Sequence, residues 1–221
     1  MPSTVPSADV QPTVSAADEP EPAEGGGRTQ GHRALGWVMV VAGAAGLVAA
    51  LVLSVEKYRL AVDPGYVPSC DLNPVVSCGS VMDTAQASAF GIPNSLIGIA
   101  AFAVVVTVGV AMLAGFWPPG WVWAGLQVGV TAGMVFVLWL ITQSLYVIGA
   151  LCPYCMLVWL VTATVFWFVT VATLDRVLTG NAGRRLIDGL HTYRPVPVVA
   201  FAAVVVVLAT IRFWDYWRTV L

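Results

Sequence analysis

Five apolar stretches, Ala34–Val55, Ser95–Phe116, Trp121–Ala150, Cys152–Leu174 and Pro197–Phe213, dominate this 221-residue chain, and Arg212 is the only charged residue inside them. Each is near or above the roughly 20 residues that a helix needs to cross a hydrocarbon core. In hydrocarbon a backbone must satisfy its own hydrogen bonds, so isolated runs of this length fold as helices. Composition agrees, because 58% hydrophobic residues, 10% charged residues and a mean hydropathy of +0.84 exclude an ordinary soluble domain. The expected fold class is an all-α integral membrane protein with five transmembrane helices, the fifth being the shortest. No nucleic-acid partner is expected.

Residues 1–33 are rich in Pro, Ala, Ser, Glu and Gly and carry too little apolar surface to fold, so they read as a disordered cytoplasmic tail. Their acidic, proline-rich start does not resemble the positive region of a signal peptide, and the first apolar run is long enough to span. The expected domains are therefore the tail 1–33, a transmembrane domain 34–215, and a short outer C-terminal tail 216–221.

Segments held on the cytoplasmic side carry excess Lys and Arg. Arg28 and Arg33 precede the first helix, and Arg176, Arg184, Arg185 and Arg194 lie between the fourth and fifth, with Asp175 and Asp188 in the same stretch. A five-helix count puts both segments on one side. The loop 56–94 carries Lys57 and Arg59 against Glu56, Asp63, Asp71 and Asp83, which suits the outside. With the N-terminus cytoplasmic in a multi-pass cell-membrane protein, all four cysteines fall on the outer, periplasm-like and oxidising side, where disulfides persist.

Those cysteines form two pairs. Cys152-Pro153-Tyr154-Cys155 is a C-x-x-C opening an apolar helix, a spacing that lets two thiols close a disulfide. Pro153 suits the first helical turn, which puts Cys152 near the N-cap as the more acidic thiol and Cys155 one turn deeper, toward a membrane-dissolved acceptor such as a quinone. Cys70 and Cys78 enclose seven residues with the turn-forming Asn73-Pro74. That pair alone is equally compatible with a static disulfide stapling the loop. A structural zinc site fits the seven-residue gap poorly, and no metal is expected. His32 and His191 lie across the membrane from the thiols in this topology. Residues 79–89 read as an interfacial half-helix that either roofs a cavity between the spanning helices or merely fills a re-entrant turn. Asn94 offers an amide to a quinone carbonyl or serves as an ordinary N-cap. Gly125, Gly129 and Gly133 line one face of the third span, which reads as close helix packing. Trp121, Trp123, Trp139, Trp159 and Trp167 read as core or interfacial anchors.

The ordered set of C-x7-C, half-helix, Pro93-Asn94-Ser95-Leu96-Ile97-Gly98 and then C-P-Y-C resembles the vitamin K epoxide reductase family over about residues 35–215. The resemblance implies a four-helix transmembrane bundle around a quinone site, plus a fifth transmembrane helix and the outer-side loop with its half-helix. It implies an active-site pair Cys152/Cys155, with Cys155 engaging the quinone, and a shuttle pair Cys70/Cys78. Asn94 would hydrogen-bond the quinone carbonyl and Thr84 would supply a hydroxyl from the half-helix. Trp159 stands where animal members place a tyrosine, so a second hydrogen bond to the quinone and animal-type inhibitor sensitivity do not carry over.

Bacterial members often add a thioredoxin-like domain after the fifth helix. This chain ends at Leu221, which implies a separate thioredoxin-like disulfide carrier as partner. One lysine against nine arginines, with abundant Ala and Val, has the look of a high-GC bacterial genome and points to menaquinone or a related naphthoquinone. The implied activity is a quinone-dependent thiol oxidoreductase that oxidises the partner and supports disulfide formation. Spacing does not decide which loop cysteine meets the partner. The alternative is a non-enzymatic membrane scaffold or metal-handling protein with two structural disulfides.

Overall fold

The computed structural model describes residues 25–63, 65–178, 189–190 and 193–220. Residues 1–24 of the expected tail, and Arg184, Arg185, Asp188 and His191, lie outside the described residues. Helix α1 runs from Gly25 to Val62, beginning inside the segment 1–33 that the sequence assigned to a tail. Helix α2 (Cys78–Met82) and a 3₁₀ turn (Ala85–Ser88) form the expected half-helix. Helices α3 (Asn94–Leu113), α4 (Gly120–Thr142) and α5 (Pro153–Val177) follow, with a π-helical turn at Gln143–Ile148 between α4 and α5. Helix α6 (Val196–Arg212) and the short α7 (Trp214–Val220) end the chain. Among the described residues four helices are long and apolar enough to span a membrane, and α6, with 17 residues, is the shorter fifth. The protein is an all-α, multi-pass membrane bundle.

The helices are joined tightly where the sequence supplies terminators. α3 stops at Gly115, whose φ of 91° only glycine adopts readily, and the N–H groups of Gly115 and Phe116 return to the carbonyls of Met112 and Ala111. Pro118 and Pro119 then prevent the helix from continuing and lead into α4.

The most extensive helix contact among the described residues is between α1 and α3, and glycines make it possible. A Cβ on Gly46 would lie 2.6 Å from the Phe102 ring, and one on Gly109 would lie 2.9 Å from Met39 Cβ. Removing those side chains lets two backbones approach, the usual basis of helix association in lipid. We expect Gly46→Ala to destabilise the bundle by about 1–3 kcal/mol, because buried Phe102 must leave its rotamer. A lowered thermal midpoint in detergent, with unchanged helix content, is the readout.

The triad Gly125, Gly129 and Gly133 behaves differently from its reading as a packing face. Nothing lies within 4 Å of a Cβ placed on Gly125 or Gly129, and Gly133 meets only Thr162, at 3.7 Å. All three border a cavity instead. Small residues every four positions mark a face on which side-chain bulk is absent, and that serves an open space as well as a neighbouring helix. α4 is held to α5 elsewhere, by hydrogen bonds from Trp123 Nε1 to Thr173 Oγ1 (2.7 Å), from Thr173 Oγ1 to Gln127 Oε1 (2.8 Å) and from Gln127 Nε2 to Thr170 Oγ1 (3.1 Å).

Candidate active site

The loop between α1 and α2 is folded by its own polar side chains. Asn73 Oδ1 accepts from the N–H groups of Val75 (3.0 Å) and Val76 (2.8 Å), a turn that the fixed φ of Pro74 favours. This sets Val76 parallel to Leu151, where Ser77 N–H donates to Leu151 O (3.0 Å) and Leu151 N–H donates to Val75 O (2.8 Å). One backbone hydrogen bond therefore ties the residue before Cys78 to the residue before Cys152, and the other holds Leu151 to Val75 on the same strand-like segment. As a consequence the Cys78 and Cys152 sulfurs lie 3.1 Å apart.

Further contacts fix Cys70 and Cys78. Ser77 caps α2 through Ser80 N–H (3.1 Å), and Asp71 Oδ1 accepts from Gly79 N–H (2.9 Å). Gly79 is required there, because a Cβ would stand 2.8 Å from Asp71 Oδ2. Buried Glu56, near the end of α1, accepts from Tyr66 Oη (2.7 Å) and Ser69 Oγ (2.8 Å) and so anchors the approach to Cys70. Cys70 and Cys78 are joined by a disulfide, while Cys152 and Cys155 are free thiols. Leu53, Met82, Cys70, Cys78 and Cys152 form one buried cluster.

Cys152 is the N-cap of α5 with Pro153 in its first turn, as its sequence context predicts. The chain reaches it through Gly149 at φ 72°, with Ser144 Oγ holding the Ala150 carbonyl. A hydrogen bond with the Cys155 side chain, supported by the backbone N–H groups of Cys155 and Tyr154, holds the Cys152 thiol below its ordinary pKa despite burial.

Cys155, one turn along, lies on the wall of a cavity of about 570 Å³ between α1, α3, α4 and α5. Its polar lining gathers at the cysteine end, as Lys57, Gln86, Asn94, Ser95 and Ser144. The remainder is overwhelmingly apolar, running through Phe102, Val105, Leu126, Val130, Val137 and Val165. The volume falls in the range of small-molecule sites, and this division suits a ligand with a polar head and an apolar body.

Asn94 is brought to this wall, in neither of its two simple forms. Pro93 takes the cap position of α3, and the Asn94 side chain reaches back, donating to Gln86 O (2.7 Å) and accepting from Ala89 N–H (3.1 Å). The amide thus clamps the half-helix over the cavity and keeps a second N–H for a ligand. Thr84 does not border the cavity, and its hydroxyl is spent on Val81 O (2.7 Å). Trp159 is almost fully buried on the wall.

Lys57 escaped the sequence reading as a site residue. From α1 it donates to Met82 O (3.2 Å) and Ser88 Oγ (3.0 Å), so the half-helix is pinned by a charge on one side and an amide on the other. The available signal was the position of Lys57 just after the first apolar run, where a lysine on a helix that continues past the run can turn its amine back toward the bundle.

The model of the vitamin K epoxide reductase family matches residues 37–170, which include all four cysteines, Lys57 and Asn94. A search of the curated proteins found no match.

Proposed function

The chain belongs to the vitamin K epoxide reductase family and is a membrane disulfide oxidoreductase, and from that premise we propose that it carries electrons from an outer thioredoxin-like dithiol protein to a membrane quinone. The observation that carries this reading is the order of the sulfurs: Cys70 bonded to Cys78, Cys78 at 3.1 Å from Cys152, and Cys155 on the cavity wall. A thiolate of the partner attacks Cys70, breaking the Cys70–Cys78 bond and releasing Cys78 as a thiolate; the partner's second thiol then closes its own disulfide and frees Cys70. Cys78 attacks Cys152 in an oxidised Cys152–Cys155 pair, and Cys155 leaves as a thiolate. Cys70 then recloses on Cys78 and releases Cys152. The four cysteines of this chain now stand in that state, with the loop pair oxidised and the helix pair reduced.

This assigns Cys70 to the partner and Cys78 to Cys152, the choice that spacing leaves open. Exposed Val67 and Leu72 flank Cys70 and offer the partner an apolar footing. A quinone, of the menaquinone type by composition, supplies a two-electron, two-proton acceptor when bound. Asn94 and Lys57 would hold its polar end, Cys155 would face its ring, and the apolar wall would exclude water. Thr84 would act by shaping the half-helix. The scaffold alternative requires two stapling disulfides, and the free thiols of Cys152 and of Cys155, the latter on the cavity wall, do not favour it.

The test is anaerobic quinone reduction by the purified protein. Wild type is expected to turn over with either a small dithiol or a thioredoxin-like dithiol protein as donor. Cys70→Ala is expected to lose turnover chiefly with the protein donor. Equal rates in wild type and variant with both donors would remove the loop pair from the path.

A further inference from the structure

The opposite end of the bundle holds a second pocket, of about 160 Å³, which the redox reading does not use. Helix α1 contributes His32 and Leu35 to it, the α3–α4 turn Trp117, α5 Trp167, Phe168, Val171, Ala172, Asp175 and Arg176, and the start of α6 Arg194. The Arg176 guanidinium lies 4.2 Å from the ring centroids of both Trp117 and Trp123, and His32 stacks on Trp117 at 3.9 Å. Both indoles thereby crowd the guanidinium, whose N–H groups donate in its own plane, away from the rings. One of its terminal nitrogens, Nη2, is buried with no hydrogen-bond partner among the described residues, and so is Trp167 Nε1. Buried donors in native proteins are satisfied, and a buried donor nitrogen on a cation demands an acceptor most of all. Two orphaned donors on one pocket therefore describe the missing ligand, an anion with several oxygens in reach of a guanidinium edge and an indole N–H.

We propose that this pocket binds the phosphate of an anionic phospholipid headgroup. Among the described residues the one carboxylate on its rim, Asp175, lies close enough to Arg194 to act on that charge, which leaves Arg176 as the cation facing a singly charged phosphodiester. The pocket sits near where α1 and α4 begin and α5 ends, the level at which indoles anchor a span in the interface. Leu35, Phe168, Val171 and Ala172 continue the wall as apolar surface, a path for an acyl chain that a free anion has no use for. Oxygens of the phosphodiester accept from Arg176 and Trp167, and no bond is made or broken.

The experiment uses the full chain, delipidated in mild detergent, offered phosphatidylglycerol or phosphatidylcholine and weighed intact by native mass spectrometry. Wild type is expected to retain phosphatidylglycerol in about ten-fold preference, because the choline cation of phosphatidylcholine offsets its phosphodiester charge and is repelled by Arg176. Arg176→Gln should abolish the preference. Trp167→Phe, which keeps the ring and removes the N–H, should weaken retention about five-fold while helix content and thermal midpoint stay unchanged. Equal retention by wild type and Trp167→Phe would overturn the site. Displacement of the lipid by millimolar inorganic phosphate, with the same dependence on Arg176, would overturn the lipid as its source. Neither residue borders the cysteine-end cavity, so the outcome is independent of the quinone reading.

Discussion

Replacing Cys155 with serine stops turnover, by about 10³-fold or more, and accumulates a disulfide between Cys78 and Cys152. Those two sulfurs lie 3.1 Å apart, and a hydrogen bond with the residue-155 side chain, helped by the backbone N–H groups at the start of α5, holds the Cys152 thiol below its ordinary pKa. In the intact protein a Cys78–Cys152 bond can be resolved by Cys155 attacking Cys152 or by Cys70 attacking Cys78. Serine removes the first route. Cys152 thiolate then attacks Cys78, the Cys70–Cys78 bond breaks, and Cys70 leaves as a thiolate that a maleimide quench caps, fixing the new bond. Peptide mapping should find Cys78 linked to Cys152 and the label on Cys70. A Cys70–Cys152 linkage would reverse the assigned order of the relay, and normal turnover would remove Cys155 from the path.

The sequence made the four cysteines and their grouping visible because thiol chemistry depends on residue type and short spacing. The N-cap position of Cys152 was legible for the same reason, since Pro153 fixes where α5 starts. What joins the two pairs was hidden, because the Val76–Leu151 bridge links residues 75 apart and rests on backbone groups that every residue carries. Lys57 was hidden in a different way. A loop-edge lysine signals orientation in a membrane protein, and only the fold shows its amine turned in to hold Met82 and Ser88. Resemblance carried Asn94 to the cavity and also carried Thr84, whose hydroxyl is satisfied within its own turn. The glycines on α4 show the limit of a pattern read on one helix. A bare face states that bulk is missing, and only the placement of α3 and α5 decides whether a helix or a cavity fills the gap.

That cavity yields the second large expected effect. Gly129→Phe should raise the KM for quinone by at least about ten-fold, equivalent to about 1.4 kcal/mol of binding, while leaving sulfur exchange intact. Nothing stands within 4 Å of a Cβ at Gly129, so the new side chain enters open space and strains no neighbour. Glycine is also a poor helix former, so the substitution does not weaken α4 itself. The fold is kept and the ring occupies volume between α3 and α4 that an apolar ligand would otherwise fill. Combining Gly129→Phe with Cys155→Ser separates the functions, because the Cys78–Cys152 bond should still form at the unfilled variant's rate, the sulfurs being far from Gly129 along α4 and α5. The same replacement at Gly46 should unfold the bundle, since Phe102 already occupies that space. A KM unchanged by Gly129→Phe would move the acceptor out of this cavity, and a thermal midpoint lowered as far as that of Gly46→Ala would mean that the α4 glycines pack against a helix after all.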